Sequence, residues 1–131
     1  METKSFDNYA ACRIEIVDRL GKSTRIIPNN VEFSVIMICT LDDSAGYISL
    51  ETLRATVYFE QLGAGSYFED TDEQPWIVGK KEYRFEIRVS SGKLQPGIYK
   101  PSGAVQGSVS GKTFFVSIAE ASTVFQVYTV D

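Results

Sequence analysis

The sequence predicts an all-β, single-domain antiparallel β-sandwich of immunoglobulin-like form, with seven to eight strands. Short runs alternate between apolar and polar residues, turn-forming residues separate the runs, and no segment of useful length has a helical period. The alternation is most regular in residues 82–89, where four apolar residues are interleaved with four charged ones: Tyr83, Phe85, Ile87, Val89, Glu82, Arg84, Glu86 and Arg88. Such a strand has one dry face, which a second sheet must cover.

The first half of the chain contains four predicted strands joined by turns. Asp18–Gly21 is predicted to be a turn, and Pro28 is expected to end a short edge strand because proline cannot donate to a central ladder. Residues 31–40 form the most apolar run. The predicted strands are residues 11–17, 24–27, 31–40 and 53–60.

The second half begins with a predicted long acidic loop, residues 61–75, and a short apolar return at 76–78. After the strand 82–89, Ser90–Lys93 is expected to be a turn. Pro96-Gly97 suits the centre of a type II turn, where glycine takes a positive φ. Three further strands are expected, at residues 103–109, 113–119 and 124–130.

Composition limits the possible functions. The 131 residues suit one domain, residues 11–131, preceded by a flexible segment, residues 1–10. The net charge of −4 and the absence of a basic stripe argue against nucleic-acid binding. No signal-peptide pattern or bilayer-length apolar run is visible, so we expect a cytoplasmic chain without a membrane span.

The residue types required for common catalytic sites are also missing. There is no histidine, which removes Ser-His-Asp and Cys-His nucleophiles and imidazole metal ligands. The two Gly-Lys-Ser/Thr triplets, at Gly21 and Gly111, lack the upstream glycine and the helix of a phosphate-binding loop. We therefore predict no enzymatic activity and no cofactor.

Cys12 and Cys39 both lie in predicted strands. They could form a disulfide, or they could be two buried thiols that act as small apolar residues. The lack of an export signal favours the buried thiols.

Residues 31–40 suggest a partner-binding surface. Val31, Phe33 and Val35 begin one apolar face of this strand, but Ile36 and Ile38 make the end of the opposite face apolar as well. A strand that is apolar on both faces is covered on both sides. A crossing loop or helical turn of the same chain is one possible cover, and a partner subunit is the other.

Four aromatic residues in or beside the predicted loop suggest a second binding surface: Tyr58, Tyr67, Phe68 and Trp76. Aromatic rings on a sheet face or loop rim can stack on sugars or fill a partner's pocket. In the alternative interpretation, Trp76 and Phe68 close the end of the sandwich.

The same predicted loop carries Glu69, Asp70, Asp72 and Glu73. Calcium binds clustered carboxylates in flexible loops, so a calcium site here is one hypothesis. The glycine and bidentate glutamate of an EF-hand loop are absent, which favours a solvated acidic tip without a metal.

Several short motifs resemble one family. These are Asp18-x-x-Gly21, the strand YRFEIRV, Leu94-x-Pro96-Gly97-x-Tyr99 and a closing strand with Phe125-Gln126-Val127. The order resembles the immunoglobulin-like C-terminal domain of O-antigen polysaccharide ABC transporter ATPases, over roughly residues 11 to 128. The resemblance implies a β-sandwich that recognises an exported glycan.

From these patterns we predict a non-catalytic binding or assembly module that acts through protein–protein contacts and self-associates. A carbohydrate-binding module is the alternative, and a calcium-binding sandwich or an enzyme is less favoured. The partner is expected to be a protein or a second copy, with a glycan as the other option. A single sandwich with no catalytic motif suits a role in recognition.

Overall fold

The computed structural model describes residues 10–42, 50–63, 67–120 and 124–130. These residues form nine strands. The strands are β1 (Ala10–Val17), β2 (Ile26–Pro28), β3 (Phe33–Leu41), β4 (Thr52–Gln61), β5 (Tyr67–Pro75), β6 (Glu82–Val89), β7 (Gly97–Val109), β8 (Lys112–Glu120) and β9 (Phe125–Tyr128). No helix long and apolar enough to cross a membrane occurs in this part of the chain.

The strands form two sheets, which confirms the predicted all-β sandwich. Sheet 1 has the order β1-β3-β6, and sheet 2 has the order β2-β9-β7-β4-β5, with β8 paired to β7. All pairings are antiparallel except that of β2 with β9, which is parallel. The predicted antiparallel sandwich thus has one parallel pairing, at the edge strand β2, because the sequence pattern of a three-residue strand does not specify its partner's direction.

The core lies between the two sheets, where the dry faces meet. In β6, residues 83, 85, 87 and 89 are buried and residues 82, 84, 86 and 88 are exposed, as the alternation predicts. Four rings from both sheets cluster at the centre: Phe33, Phe59, Tyr99 and Phe125. Their burial supplies the hydrophobic free energy that holds the layers together.

Tyr99 links the core to the turn before β7. Its hydroxyl donates to the carbonyl oxygen of Gln95 at 2.5 Å. This is the arrangement of a tyrosine corner, a feature of immunoglobulin-like sandwiches. Burial raises the pKa of the Tyr99 phenol, which favours the protonated form that donates this hydrogen bond.

A close approach between the sheets occurs at Gly103 in β7. A Cβ atom at this position would lie 2.5 Å from Cε and 3.0 Å from Sδ of Met37, which reaches across from β3. Met37 is fully buried. The glycine therefore provides the space that the long Met37 side chain fills.

The predicted turns are partly confirmed. Asp18–Gly21 is a turn, with the Asp18 carboxylate accepting from the amides of Leu20 and Lys22. A turn also follows β6, where Gly92 has a φ of 78°. Gly97 has the expected positive φ, at 159°, but it begins β7 and does not lie at the centre of a turn.

Two further corrections concern residues 61–78. The predicted long loop contains β5, which pairs with β4 from Thr52–Pro75 to Glu60–Tyr67. Residues 76–78, the predicted short apolar return, connect β5 to β6 without forming a strand. The polar composition of β5 concealed it from the hydrophobic pattern, because that pattern detects strands with a dry face.

Candidate functional site

The outer face of sheet 1 is the surface that faces away from sheet 2. It carries Ile36 and Ile38 on the central strand β3, between β1 and β6. Strand register places Ile38 between Arg13 and Arg84, and Ile36 between Glu15 and Glu86. Each isoleucine is thus flanked by two like charges. We call three residues in register across β1, β3 and β6 a row, and the sign of the charges changes from one of these two rows to the other.

The rows at either end complete this pattern. Thr40 lies between Ala11 and Glu82, and Ser34 lies between Val17 and Arg88. The face therefore holds three arginines and three glutamates, all of them exposed: Arg13, Arg84, Arg88, Glu15, Glu82 and Glu86. Their charges sum to zero, although the chain as a whole carries −4.

The two isoleucines differ in their exposure. Ile36 is 4% exposed and Ile38 is half-buried. Long charged side chains shield apolar surface with their aliphatic parts, and the flanking glutamates and arginines are placed to do so here. The structure thus places Ile36 beneath the charged residues and leaves part of Ile38 open to solvent.

Polar contacts on this face are weak. Arg84 Nη1 lies 3.9 Å from Glu86 Oε2, and both side chains are about half exposed. The Ser34 hydroxyl donates to Glu86 Oε1 at 3.4 Å. A shallow groove of about 380 Å³ separates this region from the Asp18–Gly21 turn. Such exposed contacts hold the charged side chains loosely, so they can exchange partners at low cost.

The predicted aromatic surface is divided among different parts of the molecule. Phe68 packs edge-to-face on Tyr99 with centroids 6.4 Å apart, and Trp76 stacks on Tyr83 with centroids 6.0 Å apart. Both are half-buried against the core. Tyr58 is half-buried in β4, and Tyr67 pairs with Glu60 at the start of β5. Tyr58 and Phe68 lie on opposite faces of sheet 2, and Trp76 and Phe68 pack against the core.

The four acidic residues of the calcium hypothesis lie on a strand. Glu69 and Glu73 are exposed, whereas Asp70 and Asp72 are half-buried, because successive side chains of β5 point to opposite faces. Asp70 pairs instead with Lys93, at 2.9 Å between Oδ2 and Nζ. In the described parts of the chain, no group of three or more acidic or cysteine side chains is arranged to hold a metal ion.

Sequence reasoning missed a polar groove of about 280 Å³ on sheet 2. Its lining includes Arg54 and Glu73, whose side chains lie 3.5 Å apart, together with Gln106 and Ser108. Glu51 borders it and accepts a hydrogen bond from the Ser110 amide at 2.9 Å. Residues 69–73 are all polar, so they carried no alternation to mark a strand and were interpreted as a loop.

No protein-family model and no curated protein matches the sequence. Among solved structures, the chain is similar to the CARDB domain of a Pyrococcus furiosus protein in complex with di-metal ions. The identity is 16%, the match covers 98% of this chain and 95% of that chain, and the TM-score is 0.48.

Two other solved structures are similar at lower identity. A family 123 glycoside hydrolase from Clostridium perfringens is 10% identical, with 93% of this chain and 28% of that chain covered and a TM-score of 0.47. The apo-form Calx CBD1 domain is 13% identical, with 91% and 99% covered and a TM-score of 0.37. These likenesses concern the fold alone. None of the three is described as an O-antigen transporter domain.

Proposed function

We propose that this chain is a non-catalytic assembly module that associates with a second copy of itself through the outer face of sheet 1. The observation that carries the proposal is the order of charges on that face. The row with Arg13 and Arg84 lies next to the row with Glu15 and Glu86. The face is therefore complementary to itself when one copy is reversed along the strand direction.

The symmetry of this contact follows from the rows. A two-fold axis perpendicular to the strands, midway between Ile36 and Ile38, places the arginine row of one copy over the glutamate row of the other. The outer rows match as well, because Arg88 then faces Glu82 of the second copy. A two-fold axis parallel to the strands would instead place Arg13 over Arg84. Only the first arrangement satisfies the charges of an isologous dimer.

The size of the face indicates the strength of the contact. Three strands about 4.8 Å apart, each about eight residues long, cover roughly 400 Å² per copy. The total of about 800 Å² lies below the range of stable dimers, so the complex is weak and reversible. Its ion pairs are screened by salt, and association is strongest at low ionic strength.

Charge reversal tests the proposal. Sedimentation velocity should show a monomer–dimer equilibrium that shifts toward monomer as salt rises. Arg84→Glu should weaken dimerisation at least about tenfold, because the symmetric contact loses two ion pairs and gains two repulsions. Glu86→Arg should do the same. The double variant Arg84→Glu, Glu86→Arg should recover dimerisation, because it swaps the two charges on β6 and so restores opposite charges across the two-fold axis.

The matched control is Lys100→Glu, an exposed charge change on sheet 2 that should leave the equilibrium unchanged. A protein that stays monomeric at millimolar concentration in low salt would reject self-association. A dimer that tolerates both single reversals would place the contact elsewhere. Circular dichroism verifies that each variant keeps its sheet content.

A further inference from the structure

The second feature with chemical consequences is the pair Cys12 and Cys39 on the inner face of sheet 1. Register places the two residues directly opposite each other on β1 and β3. Neither cysteine is part of a disulfide. Cys39 has no exposed surface, whereas Cys12 is half-buried. Cys12 therefore keeps part of its surface accessible to solvent, and Cys39 keeps none.

Backbone hydrogen bonds define the type of this cross-strand pair. The carbonyl of Ile16 accepts from the amide of Thr24 at 3.0 Å, on the side of β1 away from β3. The amide of Leu41 donates to the carbonyl of Lys81 at 2.7 Å, on the side of β3 facing β6. Backbone groups alternate sides along a strand, so those of Cys12 and Cys39 also point away from each other. Theirs is a non-hydrogen-bonded pair.

That pair type determines whether a disulfide fits. Residues opposite each other in non-hydrogen-bonded pairs have Cα atoms about 4.5 Å apart, within the range that a disulfide spans. Their Cβ atoms are about 4.5–5.5 Å apart, slightly wider than the mean of about 3.8 Å in disulfides. A bond here draws the strands together and is strained, which makes it easily reduced.

We propose that Cys12 and Cys39 form a site of reversible oxidation, which closes an intrachain disulfide when the protein meets a low-molecular-weight disulfide such as oxidised glutathione. The Cys12 thiolate attacks one sulfur of the reagent and forms a mixed disulfide, and one glutathione thiolate leaves. Cys39 attacks Cys12 Sγ and passes its proton to the second glutathione, which leaves as the thiol. Two electrons pass to the reagent, and the proton given up by the Cys12 thiol balances the one thiolate released.

The order of attack follows from the environment of each thiol. Hydrogen bonding to the Cys12 thiol, followed by burial, raises the pKa of the Cys39 thiol. Thiolate therefore forms first on Cys12, the thiol with access to solvent. This inference is independent of the association face, because the pair lies on the opposite side of sheet 1.

The test measures the mass of the intact folded chain after treatment with oxidised glutathione and quenching with N-ethylmaleimide. We expect a single chain lighter by two hydrogen atoms that takes up no maleimide. Peptide mapping at early times should find glutathione on Cys12. Excess reduced glutathione should restore two maleimide-reactive thiols.

Two variants sharpen the test. Cys39→Ala should keep one glutathione on Cys12, because the second thiol is missing. Cys12→Ala should react at least about tenfold more slowly, since only the buried thiol remains. The wild-type peptide map decides the question even if a variant does not fold. Persistent mixed disulfide, disulfide-linked dimers, a bond that resists excess reduced glutathione, or oxidation only in denaturant would each overturn the proposal.

Discussion

Strands β5 and β6 form the edges of their two sheets on the same side of the sandwich, but they use opposite chemistry. The alternate residues of β6 that point inward are apolar and buried. The corresponding residues of β5 are half-buried, and after Phe68 they are polar: Asp70, Asp72 and Gln74. An edge strand thus needs an apolar inner face only where the opposite sheet covers it.

The polar residues of β5 interact with the edge of the opposite sheet. Gln74 Nε2 donates to the backbone carbonyl of Arg84 in β6 at 2.7 Å. Asp70 binds Lys93, just beyond the end of β6. The Gln74 side chain therefore satisfies a backbone carbonyl at the open edge of β6, where a neighbouring strand would otherwise donate the hydrogen bond. Inward-facing charges on an edge strand also oppose pairing with another chain.

The largest expected effect distinguishes β6, whose inner face is apolar, from β5, whose inner face is mostly polar. Phe85→Ala should lower the free energy of unfolding by about 3–5 kcal/mol, because the ring is fully buried in β6 and its loss leaves a cavity. The matched change Phe68→Ala on β5 should lower the free energy of unfolding by about 1–2 kcal/mol, since Phe68 is only half-buried. Urea denaturation measures both, and equal losses would contradict the contrast between the strands.

A smaller effect is expected from the contact between the two edges. Gln74→Glu keeps the shape of the side chain but removes the donor to the Arg84 carbonyl, and should lower stability by about 0.5–1.5 kcal/mol. Thr71→Ala, on the exposed face of β5, is the control and should change stability by about 0.5 kcal/mol or less. If the two variants unfold at the same urea concentration, the side-chain contact does not stabilise the edge.

The smallest effect is expected from calcium. Because Asp70 and Asp72 point to the opposite side of β5 from Glu69 and Glu73, the four carboxylates cannot converge on one ion. Millimolar calcium, compared with EDTA, should leave the melting temperature nearly unchanged. A rise of several degrees that disappears in Asp70→Asn combined with Asp72→Asn would restore the calcium hypothesis, since a bound ion stabilises the folded state.

The sequence predicted those parts of the fold in which burial and local pattern agree. Residues 82–89 alternate between apolar and charged side chains, and their strand was found within the predicted bounds. β5 was missed because its inner positions face the edge of another strand, a relation that exists only in three dimensions. The rows of charge on sheet 1 were missed for a similar reason. Arg13 and Arg84 are far apart in sequence, and only the register of β3 brings them alongside Ile38.

The position of β9 has a consequence for the order of folding. This strand follows the other eight in chain order, lies between β2 and β7, and its Phe125 packs against Phe33, Phe59 and Tyr99. Until it emerges from the ribosome, both neighbouring edges and the centre of the core lack their partner. The sandwich therefore completes only after all nine strands have been made, and its distant strand pairings make that step slow compared with a helical domain of the same length.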